Sequence, residues 1–222
     1  FTLHVTVHEE VHQAFFKSDL LSYPVHGLMT LLIGVPFAGY KWHHWNHHQH
    51  NNGLLDYSST WRETPNGPRA RHWAAYALLW PATLARAQVR IRAEISNGDV
   101  PGHILNAIAW QKFLPLLFAI LLGVLLSPIS GGFYLALVYL GWVMISVHNY
   151  SQHPPVGGEL TLSTSCDWRM YNALFYNNGL HYEHHRRPGI PHRDLCLEPA
   201  APRVVLPHFC PSPVRFFDER NG

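Results

Sequence analysis

Cysteine and charge are both scarce in this chain, and each shortage removes a class of explanation. Cys166, Cys196 and Cys210 are odd in number and lack paired spacing. That excludes a disulfide framework and a cysteine zinc site, and it fits a reducing cytosolic face. Charged residues make up only 14% of the chain and the net charge is +2, too little to recruit nucleic acid. No internal repeat, low-complexity tract or signal peptide is visible. The sequence opens at Phe1 on an apolar stretch, so a further membrane segment is expected to precede it.

Apolar residues and histidine fill the space that charge leaves. Nearly half of the chain (47%) is apolar, and its 18 histidines outnumber the 14 Asp and Glu residues. Residues 104–126 and 133–147 with their flanks approach the ~20 residues that a spanning helix needs. They are joined by Ser127-Pro-Ile-Ser-Gly-Gly, without charge. Arg86, Arg90 and Arg92 precede the pair, and Arg169, Arg186 and Arg187 follow it. The positive-inside rule then makes it a membrane hairpin with both flanks in the cytosol. Residues 64–71 read as a loop, and residues 188–222 as an irregular cytosolic tail.

Four histidine clusters carry the chemistry: His8-Glu9-Glu10-Val11-His12, His43-His44-Trp45-Asn46-His47-His48-Gln49-His50, His148-Asn149-Tyr150-Ser151-Gln152-His153 and His181-Tyr182-Glu183-His184-His185. Residues at i, i+3 and i+4 share a helix face. His8 and His12 form such a pair; His44, His47 and His48 form a triple that His181, His184 and His185 repeat. Asn149 and His153 are again four apart. His43 with His47 is also an i, i+4 pair, so the register of the second cluster is open. His44 is preferred because it reproduces the last cluster's spacing. Neutral imidazole suits iron, zinc or copper, and this many exceed the four ligands of one zinc.

The order HxxxH, H-x-x-H-H, N-x-x-x-H, H-x-x-H-H resembles the membrane fatty acid desaturases and is similar to alkane hydroxylases and carotenoid ketolases. The resemblance implies an all-α integral membrane bundle with a cytosolic histidine-rich cap, forming a single domain over residues 1–222. It also implies two irons, with dioxygen as co-substrate. The implied ligands are His8, His12, His44, His47, His48, His153, His181, His184 and His185, with Asn149 acting through water. Glu9, Glu10, His43, Asp56, Asp167 and Glu183 are the expected outer partners of those ligands. His4, His26, His72, His103, His192 and His208 are isolated and expected not to bind metal.

The implied reaction oxidises an unactivated C–H bond of a lipid or fatty acyl chain, most directly by desaturation. Hydroxylation, ketolation and oxidative decarboxylation are alternatives in the same superfamily. Electrons would come from a separate donor of cytochrome b5, ferredoxin or rubredoxin type. A competing reading treats His8-Glu9-Glu10-Val11-His12 as the H-E-x-x-H motif of an intramembrane zinc protease.

One metal site requires every cluster on one side of the membrane. The apolar residues 20–40 between the first two clusters are therefore expected to lie in the interface or re-enter, broken at Pro24 and Pro36. Residues 73–85, interrupted by Pro81, carry the same expectation.

Overall fold

A computed structural model describes residues 2–156 and 163–210 of the chain. Helices dominate. Helix α1 (Thr2–His12) is followed by α2 (Asp19–Ile33) and α3 (Phe37–His50), and then by a small hairpin of β1 (Trp61–Arg62) and β2 (Arg69–Ala70). Trp61 pairs with Ala70 and Arg62 with Arg69, antiparallel. Next come α4 (Trp73–Leu78), α5 (Trp80–Asn97), α6 (Gly102–Gln111), α7 (Leu114–Leu125) and α8 (Pro128–Gln152). Two short helices, α9 (Arg169–Leu174) and α10 (His181–Arg186), and a 3-10 turn at His192–Asp194 complete the described chain.

Two segments, Gly102–Leu125 and Pro128–Gln152, are long and apolar enough to cross a membrane. Leu116, Leu117, Ile120 and Val124 on α7, and Phe133, Leu137 and Leu140 on α8, stand exposed. Such a surface is unfavourable in water by about 25 cal/mol per Å² and neutral against lipid tails. The protein is an all-α membrane bundle. The connection between the two spans is shorter than expected: Pro128 already belongs to α8. Ser127 caps that helix by accepting from the Ser130 N–H, and proline at N1 has no N–H to lose. Gly131 lets the two helices touch, because a Cβ there would lie 2.4 Å from the Ala119 carbonyl oxygen.

Residues 20–40 break once. Leu20–Ile33 and Phe37–His50 meet at 79°, the geometry of a broken span or a re-entrant loop. Gly34 makes the corner at φ +70, against Val138 of α8. Pro36 opens α3, whereas Pro24 lies inside α2 without ending it. Near the start of that helix, proline forfeits a single backbone bond, to the Leu20 carbonyl. The exposed ends of the break are satisfied by neighbours, as an apolar setting demands. Tyr134 and Trp142 of α8 donate to the carbonyls of Leu31 and Ile33 at 2.7 and 2.6 Å. Thr30 Oγ1 and Gln111 Oε1 accept from the N–H groups of Phe37 and Ala38 at 3.0 and 2.9 Å.

Residues 73–85 do not form one segment. They divide at Leu79, and Pro81 opens α5 rather than interrupting it. Helix α5 exposes Arg86, Arg90 and Arg92 together with Val89, the pattern of a helix lying along a surface. The described part of the tail also departs from expectation. Residues 188–210 fold back onto the body, burying His192 and His208 to 1% and 0% exposure. Ser165 and Arg203 form a β-bridge there.

Candidate metal centre

Helices α1, α3 and α10 and the end of α8 deliver the histidines to one place. The ring nitrogens of the clusters converge as two groups, His8, His12, His44, His48 and His184 in one and His47, His153, His181 and His185 in the other, while His8, Glu9 and His192 form a third close set. In the first, Nε2 of His44 lies 2.8 Å from that of His12 and 2.9 Å from that of His48, which is 3.0 Å from His184 Nε2. In the second, His153 Nε2 lies 3.2 Å from His47 Nε2 and 2.8 Å from His181 Nε2, which is 3.0 Å from His185 Nε2.

Hydrogen bonding cannot account for these contacts. A ring nitrogen offers either one proton or one lone pair, so an Nε2 facing two others satisfies only one of them. His44, His48, His153 and His181 all face two. Two nitrogens at right angles around an ion, each bonded at about 2.1 Å, stand about 3.0 Å apart. The chemistry and spacing of both sets therefore fit metal ions.

Helix periodicity explains the partition. The i, i+4 pairs stay together: His8 with His12, His44 with His48, and His181 with His185. The i+3 members, His47 and His184, go to the opposite group. Each H-x-x-H-H cluster thus serves both groups, and the rings of His48 and His185 meet between them at 4.4 Å. In the second cluster, His44 turns inward while His43 Nε2 bonds Ser58 Oγ at 2.6 Å.

The neighbouring acids divide by geometry. Asp56 accepts from His47 Nδ1 at 2.7 Å and from the N–H groups of Asn52 and Ser58, each at 2.7 Å. Burial alone would raise its carboxyl, but the interaction with His47 outweighs that and holds it below its ordinary value. Glu9 binds His192 instead of a box histidine. Glu10 points away, to His26 Nε2 at 3.0 Å and the Phe15 N–H. Glu183 is fully buried, but it bonds Ser165 and the Glu198 N–H. Glu10 lies two residues from both His8 and His12, about 200° around the helix and so on its opposite side. Asp167, exposed and 3.8 Å from Arg203, is not at the site at all.

His192 and His208, set aside as isolated, come close through the folded-back tail. His192 stacks on His184 at 4.2 Å, and His208 lies 5.4 Å from the ring of His148. Neither carries helical spacing to a histidine cluster. Sequence carried a signal only for His192, which follows the last box closely. His4 and His26 are also placed among the helices, against Trp142 and Glu10 respectively.

A sequence model of the family described as fatty acid desaturase matches residues 1–211. The chain belongs to the fatty acid desaturase family. Among curated proteins it is 26% identical to the probable fatty acid desaturase of Sorghum bicolor, over 93% of this chain and 61% of that protein. The chain thus spans about three fifths of this relative's length. No solved structure matches it.

This desaturase-family chain has a cavity of about 220 Å³ against the two groups. Its wall includes His8, His44, His47, His181 and Asn149, and continues through Val35, Tyr40, Ile91, Ile95, Leu105, Ile108 and Trp142. Asn149 Nδ2 donates to Tyr76 Oη at 2.7 Å and to the Ser58 carbonyl at 3.3 Å. A mostly apolar passage with nitrogen donors on one wall suits a hydrocarbon chain presented to metal.

Burial, followed by mutual repulsion, holds His8, His181, His184 and His185 well below the usual imidazole value. His12 is pushed down to about 4, again first by burial. These rings are neutral at neutral pH, the form that binds metal. A depressed histidine pKa means that the unfolded chain takes up protons first as pH falls. Stability and metal retention are therefore expected to be level above pH ~7 and to fall from about 6.5 toward 4. Metal per chain after dialysis across that range measures this; full retention near pH 5 would contradict it.

Proposed function

We propose that this protein is a dioxygen-dependent di-iron oxidoreductase that takes hydrogen from an unactivated C–H bond of a lipid or fatty acyl chain. The proposed outcome is a double bond. One observation carries the reading: two convergent imidazole sets line the wall of one apolar cavity. Nine nitrogens in two sets exceed the four ligands of a single zinc, and imidazole is a good donor to iron. Family membership favours desaturation over hydroxylation, ketolation and oxidative decarboxylation. A pair of irons bound there supplies the redox chemistry by which dioxygen oxidises a saturated carbon.

The remaining roles belong to the chain. The nine box histidines hold the metals, and Asp56 keeps the His47 ring in one orientation. Asn149 has its Nδ2 engaged by Tyr76 and Ser58, so its Oδ1 is the atom left to hold a water at the four-histidine group. Val35, Leu105 and Ile108 line the passage, exclude water and fix which carbon reaches the metals. Arg86, Arg90, Arg92, Arg169, Arg186 and Arg187 flank the spanning pair, which supports a cytosolic site. Electrons then come from a separate cytosolic or membrane-anchored donor of cytochrome b5, ferredoxin or rubredoxin type.

The zinc-protease reading requires Glu9 as a base beside His8 and His12. In this chain Glu9 is engaged by His192, and the two histidines meet His44, His48 and His184. The deciding experiment is mass spectrometry of host lipids with and without the full chain. An acyl product lighter by two hydrogens supports the proposal. A product heavier by one oxygen atom would make the protein a hydroxylase, and an unchanged lipid profile with an active electron donor present would overturn the oxidoreductase reading.

A further inference from the structure

Among the described residues, several box histidines lack the partner that normally orients a ligand ring. A metal-bound imidazole usually donates its second nitrogen to a carboxylate, carbonyl or water, and this bond fixes the ring plane. His47 has that partner in Asp56. His12, His48 and His181 do not, and neither do His8 and His184, whose Nδ1 atoms are likewise buried without a hydrogen-bond partner. Both belong to the five-histidine group, and they come from opposite ends of the chain, on α1 and α10.

One ring packs on both of them. His192 stacks on His184 with centroids 4.2 Å apart and planes 25° from parallel. Against His8 it lies edge-on, at 5.0 Å and 69°. His192 is only 1% exposed and is anchored by a hydrogen bond from its Nδ1 to Glu9. Its backbone N–H also points at Glu9, 3.4 Å from Oε1. Glu9 follows His8 directly on α1, so this bond ties the first box to the segment behind the last box. Gln13 adds a link of the same kind, donating to the Gly189 carbonyl at 2.6 Å, a bond that involves no ligand ring.

Resting on the two-metal reading above, we infer that Glu9 and His192 form a positioning pair for the five-histidine centre: Glu9 anchors His192, and the His192 ring sets the planes of His8 and His184. The pair replaces by packing what Asp56 does for His47 by hydrogen bonding. The four-histidine group draws no ligand from α1 and has no contact with His192 among its rings. Loosening the pair therefore affects one metal and spares the other.

The test uses the full chain purified with iron, and follows iron release to a colorimetric Fe2+ chelator over time. The wild-type chain should release two irons. In Glu9→Gln and in His192→Ala, one iron should leave about 10- to 100-fold faster, the range for losing an outer partner of a ligand. The other iron should keep its wild-type rate. The double variant should be no worse than the more affected single one, because the two residues act as a unit. His192→Phe, which keeps a ring over His184, should recover part of the slow release. Gln13→Ala, which cuts only the neighbouring tie, should leave both rates unchanged. Release of both irons accelerated equally, or Gln13→Ala matching His192→Ala, would reduce the pair to a general structural tie and overturn the inference, as would unchanged rates in both single variants. A wild-type chain that releases only one iron would instead bring down the two-metal reading on which the inference stands.

Discussion

Replacing His44 with alanine is expected to remove one metal ion and leave the other, and replacing His47 is expected to do the reverse. The two residues are three apart on one helix, yet their Nε2 atoms belong to different groups. His44 faces His12 and His48, whereas His47 faces His153. Each variant should fall from two metals per chain to one by elemental analysis. X-ray absorption should count about five imidazoles around the metal that remains in His47→Ala and about four around the one that remains in His44→Ala, following the ordinary coordination of nitrogen ligands. Lipid oxidation should drop more than about 100-fold in both, since even outer partners of ligands are worth 10- to 100-fold. Retention of both metals in either variant, or the same surviving environment in both, would contradict the partition.

The second large effect is expected at Gly39, where tryptophan should close the apolar passage without touching the metals. Gly39 lies on the cavity wall, and a Cβ there would stand 3.7 Å from Ile108 Cγ1, in ordinary contact. An indole added at this wall position is expected to occupy part of the cavity, and unchanged metal content is the check that the variant still folds. Long acyl chains should lose about 100-fold or more in turnover, because misplacing a substrate by about 1 Å can cost that much. Shorter chains should be less affected, and metal content should match the wild type. Unchanged turnover across chain lengths would show that substrate reaches the metals by another route.

What could be read from the sequence was local in period. The i, i+3, i+4 spacing of His44, His47 and His48 and of His181, His184 and His185 is a property of one helix. The same applies to the long apolar runs that become α7 and α8. The division of the histidines was not legible, because it depends on how α1, α3, α8 and α10 are arranged in space. His192 illustrates the same limit: its partner Glu9 lies 183 positions away. Asp167 lies between two boxes in sequence, but its carboxylate faces Arg203. Other signals were available but local chemistry had to be weighed differently. Ser127 followed by Pro128 is a helix start, so residues taken for a turn belong to α8. Pro24 and Pro36 are the same residue type, but only Pro36 has a glycine two positions before it to turn the chain.

The distance along the chain between Glu9 and His192 also bears on synthesis. His8 and His12 leave the ribosome early, but the rings that close their group arrive with His184 and His192. Until then the early histidines have only His44 and His48 as partners, and the apolar helices must already be accommodated in lipid. Long-range closure of this kind comes late in folding. The five-histidine group is thus complete only once the last part of the described chain has joined the first.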